Sequence, residues 1–362
     1  MSLNKNPDLL LDVASIEAGH IIWRSPSNLA IIKYWGKYGN QLPQNPSISF
    51  TLANSFTETA LEYKAKATEE AGIDLIMFFN GEEDEKITAK TRDFLQSMLE
   101  YFPFLEQLSL RIQTGNSFPH SAGIASSASG MSALALCLCS LEDRFFGTLS
   151  EPEAFDQKAS FIARLGSGSA CRSVFPYMSL WGAYEGVAGS SNEYAIPMED
   201  EIHEVFKGYH NAIMIVSSEE KSVSSRAGHA LMEDNPYAAP RYQQANDRMK
   251  RLLEILKEGD VHAFGVIAEE EALTLHALMM ASSPSYTLLR PNTLLMIERI
   301  RAYREETGHP VYFSLDAGPN IHLLYPDSVK EEVQLLIDKQ LIPLCEKGFW
   351  IKDWIGEGPE EI

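Results

Sequence analysis

A run of small residues, Pro119-His-Ser-Ala-Gly123-Ile-Ala125-Ser126-Ser127-Ala128, leads into a strongly apolar stretch over 131–141 that reads as a buried helix. Gly, Ala and Ser let a backbone approach a ligand closely. The first N–H groups of a helix have no partner within it and suit an anion. Ser126 and Ser127 add hydroxyls for phosphate oxygens or a bound Mg²⁺. The pattern is neither G-x-x-x-x-G-K-[ST] nor G-x-G-x-x-G, which excludes those two nucleotide-loop classes. Taken alone, the run is equally compatible with a serine N-cap before a core helix.

With 362 residues the chain is long for one hydrophobic core, and two domains are expected. Apolar residues at 45% and charged residues at 22% indicate a globular protein. No apolar stretch has the length of a membrane-spanning helix. Residues 1–20 lack a basic region followed by an apolar run and read as a loosely held leader, not a secretory signal. The formal net charge of −20 disfavours nucleic acid and anionic membranes as partners. An anionic ligand must therefore be held by a local cluster of cations. Cys137, Cys139, Cys171 and Cys345 form no C-x-x-C pair and no zinc spacing, which fits a reduced, cytoplasmic protein.

Along the chain, β-branched residues over 21–35, punctuated by Pro26, predict strands around a turn. Ile73–Phe79 predicts a strand ended by the hairpin signal Asn80-Gly81. Helical spacing marks 88–101, Leu108–Ile112 is a short strand candidate, and a polar loop is expected over 185–200. Ala212–Val216 reads as a buried strand, and a domain boundary just before it gives domains over 21–205 and 206–362. Helices are expected over 241–257, 260–280, 291–306 and 328–346. Strands are expected at Tyr312–Leu315, Ile321–Tyr325 and near Phe349–Ile355. Without regular βαβ alternation, two α+β domains fit better than a doubly wound sheet.

Four further segments carry chemistry. Lys33-Tyr34-Trp35-Gly36-Lys37 sets two lysines four apart, on one side of a strand or adjacent on a helix. They can line a cationic pocket, although a bare K-x-x-x-K is more often a surface pair. Gly166-Ser-Gly-Ser169-Ala-Cys-Arg172-Ser173 suits a tight turn presenting a guanidinium, which grips a carboxylate bidentately as Lys does not. Its bland reading is a flexible connector. Lys221-Ser-Val-Ser-Ser225-Arg226 offers two cations and three hydroxyls before a helix, or simply a basic helix start. Asp316-Ala-Gly-Pro-Asn320 is either an Asx-turn or an acid/base group on a rigid turn, and local sequence does not decide between them.

Together these segments resemble a known family. P-x-x-x-G-I-A-S-S-A resembles the phosphate loop of the GHMP kinase superfamily. K-Y-W-G-K, G-S-G-S-A-C-R-S, K-x-x-x-S-R and D-A-G-P-N, in this order, resemble its diphosphomevalonate decarboxylase branch. N-x-A-x-I-K (Asn28 to Lys33) and Gly356-Glu-Gly-Pro359 extend the match over about 21–359. The resemblance implies a two-domain α+β GHMP kinase fold, with a ribosomal protein S5 domain 2-like N-terminal domain and a ferredoxin-like C-terminal domain, and the active site in the cleft between them. It implies ATP and Mg²⁺, with mevalonate 5-diphosphate as substrate, and it suggests a homodimer.

By the same resemblance Asp316 is the base for the 3-hydroxyl, and Lys33 stands beside it. Arg172 takes the substrate carboxylate, and Asn28 belongs to the same site. Tyr34, Lys37, Ser169, Ser225 and Arg226 take the diphosphate. Gly123, Ala125, Ser126, Ser127 and Lys221 contact ATP, with Mg²⁺ near Ser126 and Ser127. The chain departs from the family pattern at His120, Ser121, Pro46, Glu219 and Glu220, none of which carries an assigned role. Competing readings are a mevalonate 5-phosphate decarboxylase, a mevalonate 3-hydroxyl kinase, and a non-catalytic ligand sensor on the same fold.

Overall fold

The computed structural model describes residues 5–67, 71–119, 124–219 and 222–362. The first half of the chain supplies strands β1 (Gly19–Ile32), β2 (Lys37–Tyr38), β3 (Leu42–Pro43), β4 (Ser47–Ala65), β5 (Asp74–Phe79), β6 (Glu82–Glu83), β7 (Leu108–Asn116), β8 (Met178–Trp181) and β9 (Ala195–Pro197). Helices α1 (Glu85–Ser97), α2 (Ser126–Phe146) and α3 (Pro152–Gly166) lie among them. Then follow β10 (His210–Met214), α4 (Ser225–Ala230), α5 (Ala238–Glu258), α6 (Val261–Met280), α7 (Pro291–Thr307), β11 (Tyr312–Ser314), β12 (Ile321–Tyr325), α8 (Lys330–Leu336), β13 (Trp350–Ile351) and β14 (Glu360–Glu361).

The described residues form an eight-stranded sheet in the order β14-β1-β4-β7-β5-β6, with β8 on β4 and β9 on β8. A four-stranded sheet runs β11-β12-β10-β13. All pairs in the large sheet are antiparallel except β5 with β7. β4 is the organising strand: Ile48–Thr51 and Phe56–Tyr63 pair with β1, its first residues with β8 and its last nine with β7. Pro26 does not divide 21–35 into two strands. β1 continues through it with a register shift between Pro26 and Asn28, because a bulge tolerates the missing N–H.

α2 is longer than the apolar run and closes on Gly147 in the left-handed region (φ 63°). Leu134, Leu136, Leu138 and Leu141 on it are buried in the first core, each contributing roughly 1.5–3 kcal/mol. The segment read as a leader is docked. Leu9 is buried in the first core, and the Gln107 amide both accepts from the Leu11 N–H and donates to its carbonyl, each at 2.8 Å. A second core joins the far half of β1 and the start of β4 to α5, α6 and β10, so it spans both sheets. The helix expected over 328–346 breaks after α8 into a π turn and a 3₁₀ turn. Pro343 removes an N–H and crowds the carbonyl four residues back. No described helix is long and apolar enough to cross a membrane.

Candidate active site

The ladder of β1 with β4 ends at Ile32, and Lys33 emerges from it into the space between the sheets. Its main chain is held by side chains instead. The Lys33 N–H donates to Glu271 Oε2 at 2.8 Å, and its carbonyl accepts from Asn45 at 3.2 Å and Arg241 at 3.3 Å. Its ammonium meets Asp316 Oδ1 at 3.0 Å, the lysine side chain being 3% exposed and the aspartate 21%. Burial pushes the Lys33 ammonium below its usual range, Asp316 and Glu271 oppose that, and Arg172 adds to it.

Asp316 sits on the turn from β11 to β12, and that turn is pinned on several sides. Asn320 accepts the Val216 and Ser217 N–H groups at 2.7 and 3.0 Å. Thr293 Oγ1 donates to the Pro319 carbonyl at 2.7 Å. His276 Nε2 donates to the Asp316 carbonyl at 3.1 Å, which fixes its tautomer. The Asp316 carboxylate faces a lysine from the other sheet, 283 residues away in the chain.

The glycine-serine segment after α3 is a 3₁₀ turn, Gly168–Val174, rather than a flexible connector. It turns Arg172 into the interior, where the guanidinium donates to Ser47 Oγ (2.7 Å), Ser49 Oγ (2.9 Å) and Asn28 Oδ1 (3.4 Å). All three acceptors are neutral, and Arg172 has no ion-pair partner among the described residues. Asn28 in turn donates to Ser173 Oγ at 2.8 Å and to the Ser169 carbonyl at 3.2 Å, so its amide orientation is set. Tyr34 lies edge-on to Trp181 (4.7 Å between centroids), and its hydroxyl is buried without a hydrogen-bond partner. Gly168 permits this, since a Cβ there would stand 2.8 Å from that hydroxyl.

Lys33–Gly36 is the irregular turn from β1 to β2, with Gly36 at φ +109°, and Lys37, which opens β2, donates to Gln41 at 2.9 Å. The Gly36 N–H donates to His229 Nδ1 at 3.0 Å, and His229 packs between Tyr34 and Trp35. Burial, then Lys37 and Arg172, push the His229 pKa down to about 3, so it is neutral. It ties the lysine turn to α4, whose first residues, Ser225 and Arg226, are exposed behind the Ser224 cap. Burial followed by Arg226 lowers the pKa of Lys37. At α2 the residue before the helix is Ala125 at φ 47°, ψ 40°, and no side chain caps it; Ser126 and Ser127 form its first turn. The serine N-cap alternative therefore does not apply.

One cavity of about 860 Å³ is lined by Asn28, Lys33, Tyr34, Lys37, Ala125, Ser126, Ser127, Ser169, Arg172, Ser225, Arg226 and Asp316. Gly123 and Lys221 lie outside the described residues, as do His120, Ser121 and Glu220. Three features escape a reading of the sequence. One is an arm of the cavity between α1 and the sheet, lined by Met77, Phe79, Ile87 and Phe94. The second is His229. The third is Glu271, fully buried between Arg241 and Arg248. The spacing of Ile87 and Phe94 on α1 is the one local signal for the arm; the other two rest on contacts distant in sequence.

The diphosphomevalonate decarboxylase-like N-terminal domain model matches residues 25–193, and the mevalonate 5-diphosphate decarboxylase C-terminal domain model matches 211–352. A diphosphomevalonate decarboxylase from Ganoderma lucidum is 30% identical over 334 residues, spanning 86% of this chain and 80% of that protein. The chain belongs to the diphosphomevalonate decarboxylase family. Among solved structures, the mevalonate diphosphate decarboxylase from Staphylococcus aureus superposes with a TM-score of 0.81 at 27% identity, over 96% of this chain and 98% of that one. A complex of MDDEF with MVAPP, AMPPCP and magnesium gives a TM-score of 0.78 at 28% identity, over 96% and 99% of the two chains. The architecture is accordingly the two-domain GHMP kinase fold of this family, with the cavity at the junction of the two sheets.

Proposed function

We propose that the protein catalyses the ATP-dependent decarboxylation of mevalonate 5-diphosphate to isopentenyl diphosphate, ADP, phosphate and CO₂. The observation that carries this reading is the Lys33–Asp316 pair at 3.0 Å, in the same cavity as a buried arginine with only neutral partners. Asp316 takes the proton of the tertiary 3-hydroxyl as that oxygen attacks the γ-phosphorus of ATP. Lys33, 3.0 Å from the Asp316 carboxylate, offsets negative charge as it develops. The 3-phosphate then leaves with its electron pair, the neighbouring carboxylate loses CO₂, and the released pair closes the alkene.

Arg172 holds that carboxylate, an anion that supplies the partner its guanidinium lacks, and Asn28 fixes the arginine's angle. Lys37, Arg226, Ser225, Ser169 and the orphaned Tyr34 hydroxyl bind the diphosphate. The uncapped start of α2 fits the ATP phosphates. Ser126 and Ser127 are there to meet them and an accompanying Mg²⁺, which supplies charge neutralisation on the phosphates. By resemblance Gly123 and Lys221 complete this side. No group of three or more His, Cys, Asp or Glu among the described residues forms a metal site of its own, so the cation is expected to enter with the nucleotide. The four cysteines are free and buried, in keeping with a cytoplasmic setting.

The deciding experiment follows ADP and CO₂ together, with mevalonate 5-diphosphate and mevalonate 5-phosphate offered separately. One ADP and one CO₂ per diphosphate consumed is expected. Preference for the monophosphate, or ADP without CO₂, would overturn the assignment.

A further inference from the structure

Among the described site residues, Lys33 has its main-chain N–H and carbonyl both held by side chains from the opposite part of the molecule. Glu271 on α6 accepts four hydrogen bonds. Oε2 takes the Lys33 N–H at 2.8 Å and Arg241 Nη2 at 2.5 Å; Oε1 takes Arg241 Nη1 at 2.7 Å and Arg248 Nη1 at 2.8 Å. That fills the acceptor capacity of a carboxylate. Arg241 also reaches the Lys33 carbonyl, and Arg248 has a second partner in Glu270 at 3.0 Å. Burial works to raise the pKa of Glu271 and is outweighed by Arg241, the Lys33 N–H and Arg248, so it is ionised.

Buried Arg–Glu–Arg triads add little stability that well-packed apolar residues would not supply. This triad stands at the strand end that delivers Lys33, where the β-ladder has stopped. Its charge also reaches the lysine. Asp316 and Glu271 favour the ammonium form, and burial and Arg172 disfavour it. Of the remaining neighbours, Arg241 faces the Lys33 carbonyl, His276 donates to the Asp316 backbone, and His322 is buried and neutral.

We infer that Glu271, clamped by Arg241 and Arg248, is a positioning residue for the reaction. It fixes the Lys33 backbone across the domain junction and places a second negative charge, beside that of Asp316, near the ammonium. The inference rests on the reading of Lys33 and Asp316 given above. Because the carboxylate sits between one lysine and two arginines, its charge is divisible. Removing Glu271 weakens the ammonium, while removing Arg248 frees more of the carboxylate's field for it.

The test is the pH–rate profile of Glu271→Gln and Arg248→Gln, measured with Asp316→Asn alongside. For Glu271→Gln the alkaline limb of kcat is expected to move down by on the order of one pH unit. Its kcat should fall about tenfold at alkaline pH, with KM for both substrates within about threefold of the parent. For Arg248→Gln the limb is expected to move upward. Alkaline limbs that stay at the parent value in both variants, or shift in the same direction, would overturn the inference and leave the triad as scaffolding. Should Glu271→Gln not fold, the upward shift in Arg248→Gln carries the test alone, and its absence is decisive. If Asp316→Asn turns over, the underlying assignment fails. If it is dead and the limbs do not move, only this inference fails.

Discussion

Arg172→Lys tests the carboxylate clamp most directly, and its size follows from the contacts. The guanidinium serves Ser47, Ser49 and Asn28 through three different nitrogens, all in a buried setting. A lysine ammonium at the end of a single stem cannot meet acceptors spread around a planar fork and grip a carboxylate two-handedly as well. Losing the bidentate arrangement is expected to cost about 2–3 kcal/mol of transition-state binding, or roughly 30- to 150-fold in kcat/KM. Leaving one or two buried acceptors unpaired adds a separate stability loss of about 1–3 kcal/mol. Coupled ADP release at saturating ATP gives the first quantity, and urea denaturation of the unliganded protein gives the second. A variant with kcat/KM within about threefold of the parent would refute the clamp, whatever its stability.

Other perturbations follow from the same geometry. Asp316→Asn removes the proposed base and is expected to abolish turnover while nucleotide binding, measured by calorimetry, persists. Gly36→Ala meets both an unfavourable φ of +109° and the Tyr242 hydroxyl. It is expected to destabilise by about 1–3 kcal/mol and, by displacing Lys37, to raise KM for the diphosphate substrate. His229 and His322 are held neutral, with pKa values pushed down from 6.5 to about 3 and about 4, chiefly by burial. An unfolded chain protonates both near their ordinary value, so below it the unfolded state binds more protons. Stability is then fully present above about pH 6.5 and is lost as pH falls toward the folded values, by up to roughly 1.4 kcal/mol per pH unit for each histidine. Urea midpoints at pH 7 and pH 5 should show that loss, and it should be smaller in His322→Asn; an unchanged difference would argue against it.

Much of the site is visible in the amino-acid sequence because its chemistry is concentrated in short segments. The small-residue run before α2, the lysine turn and the arginine turn are each ambiguous alone and point to a ligand only in combination. The long strand β4 is not visible in the same way. Its buried face carries Thr51, Ser55, Thr57 and Thr59, so the apolar alternation that marks a strand is missing. The role of Asp316 is illegible locally because its partner comes from the other sheet. Glu271 is hidden for a stronger reason. It stands in the run Glu269-Glu-Glu271 on α6, which reads as a solvated face, and only two arginines from α5 and a strand end make its burial tolerable.

The short strand β14 returns to the large sheet after the four-stranded sheet is complete, with Glu360 and Glu361 opposite Arg24 and Trp23. Without it, the Trp23–Arg24 stretch of β1 would present bare amides and carbonyls on the outer edge of the sheet, a template for another chain. β14 is thus a guard rail as much as a strand, and its glutamates add charge where a neighbour would dock. Deleting residues 357–362 is expected to leave the catalytic cavity assembled but to make the protein self-associate. Light scattering at rising concentration would register that change before any loss of activity.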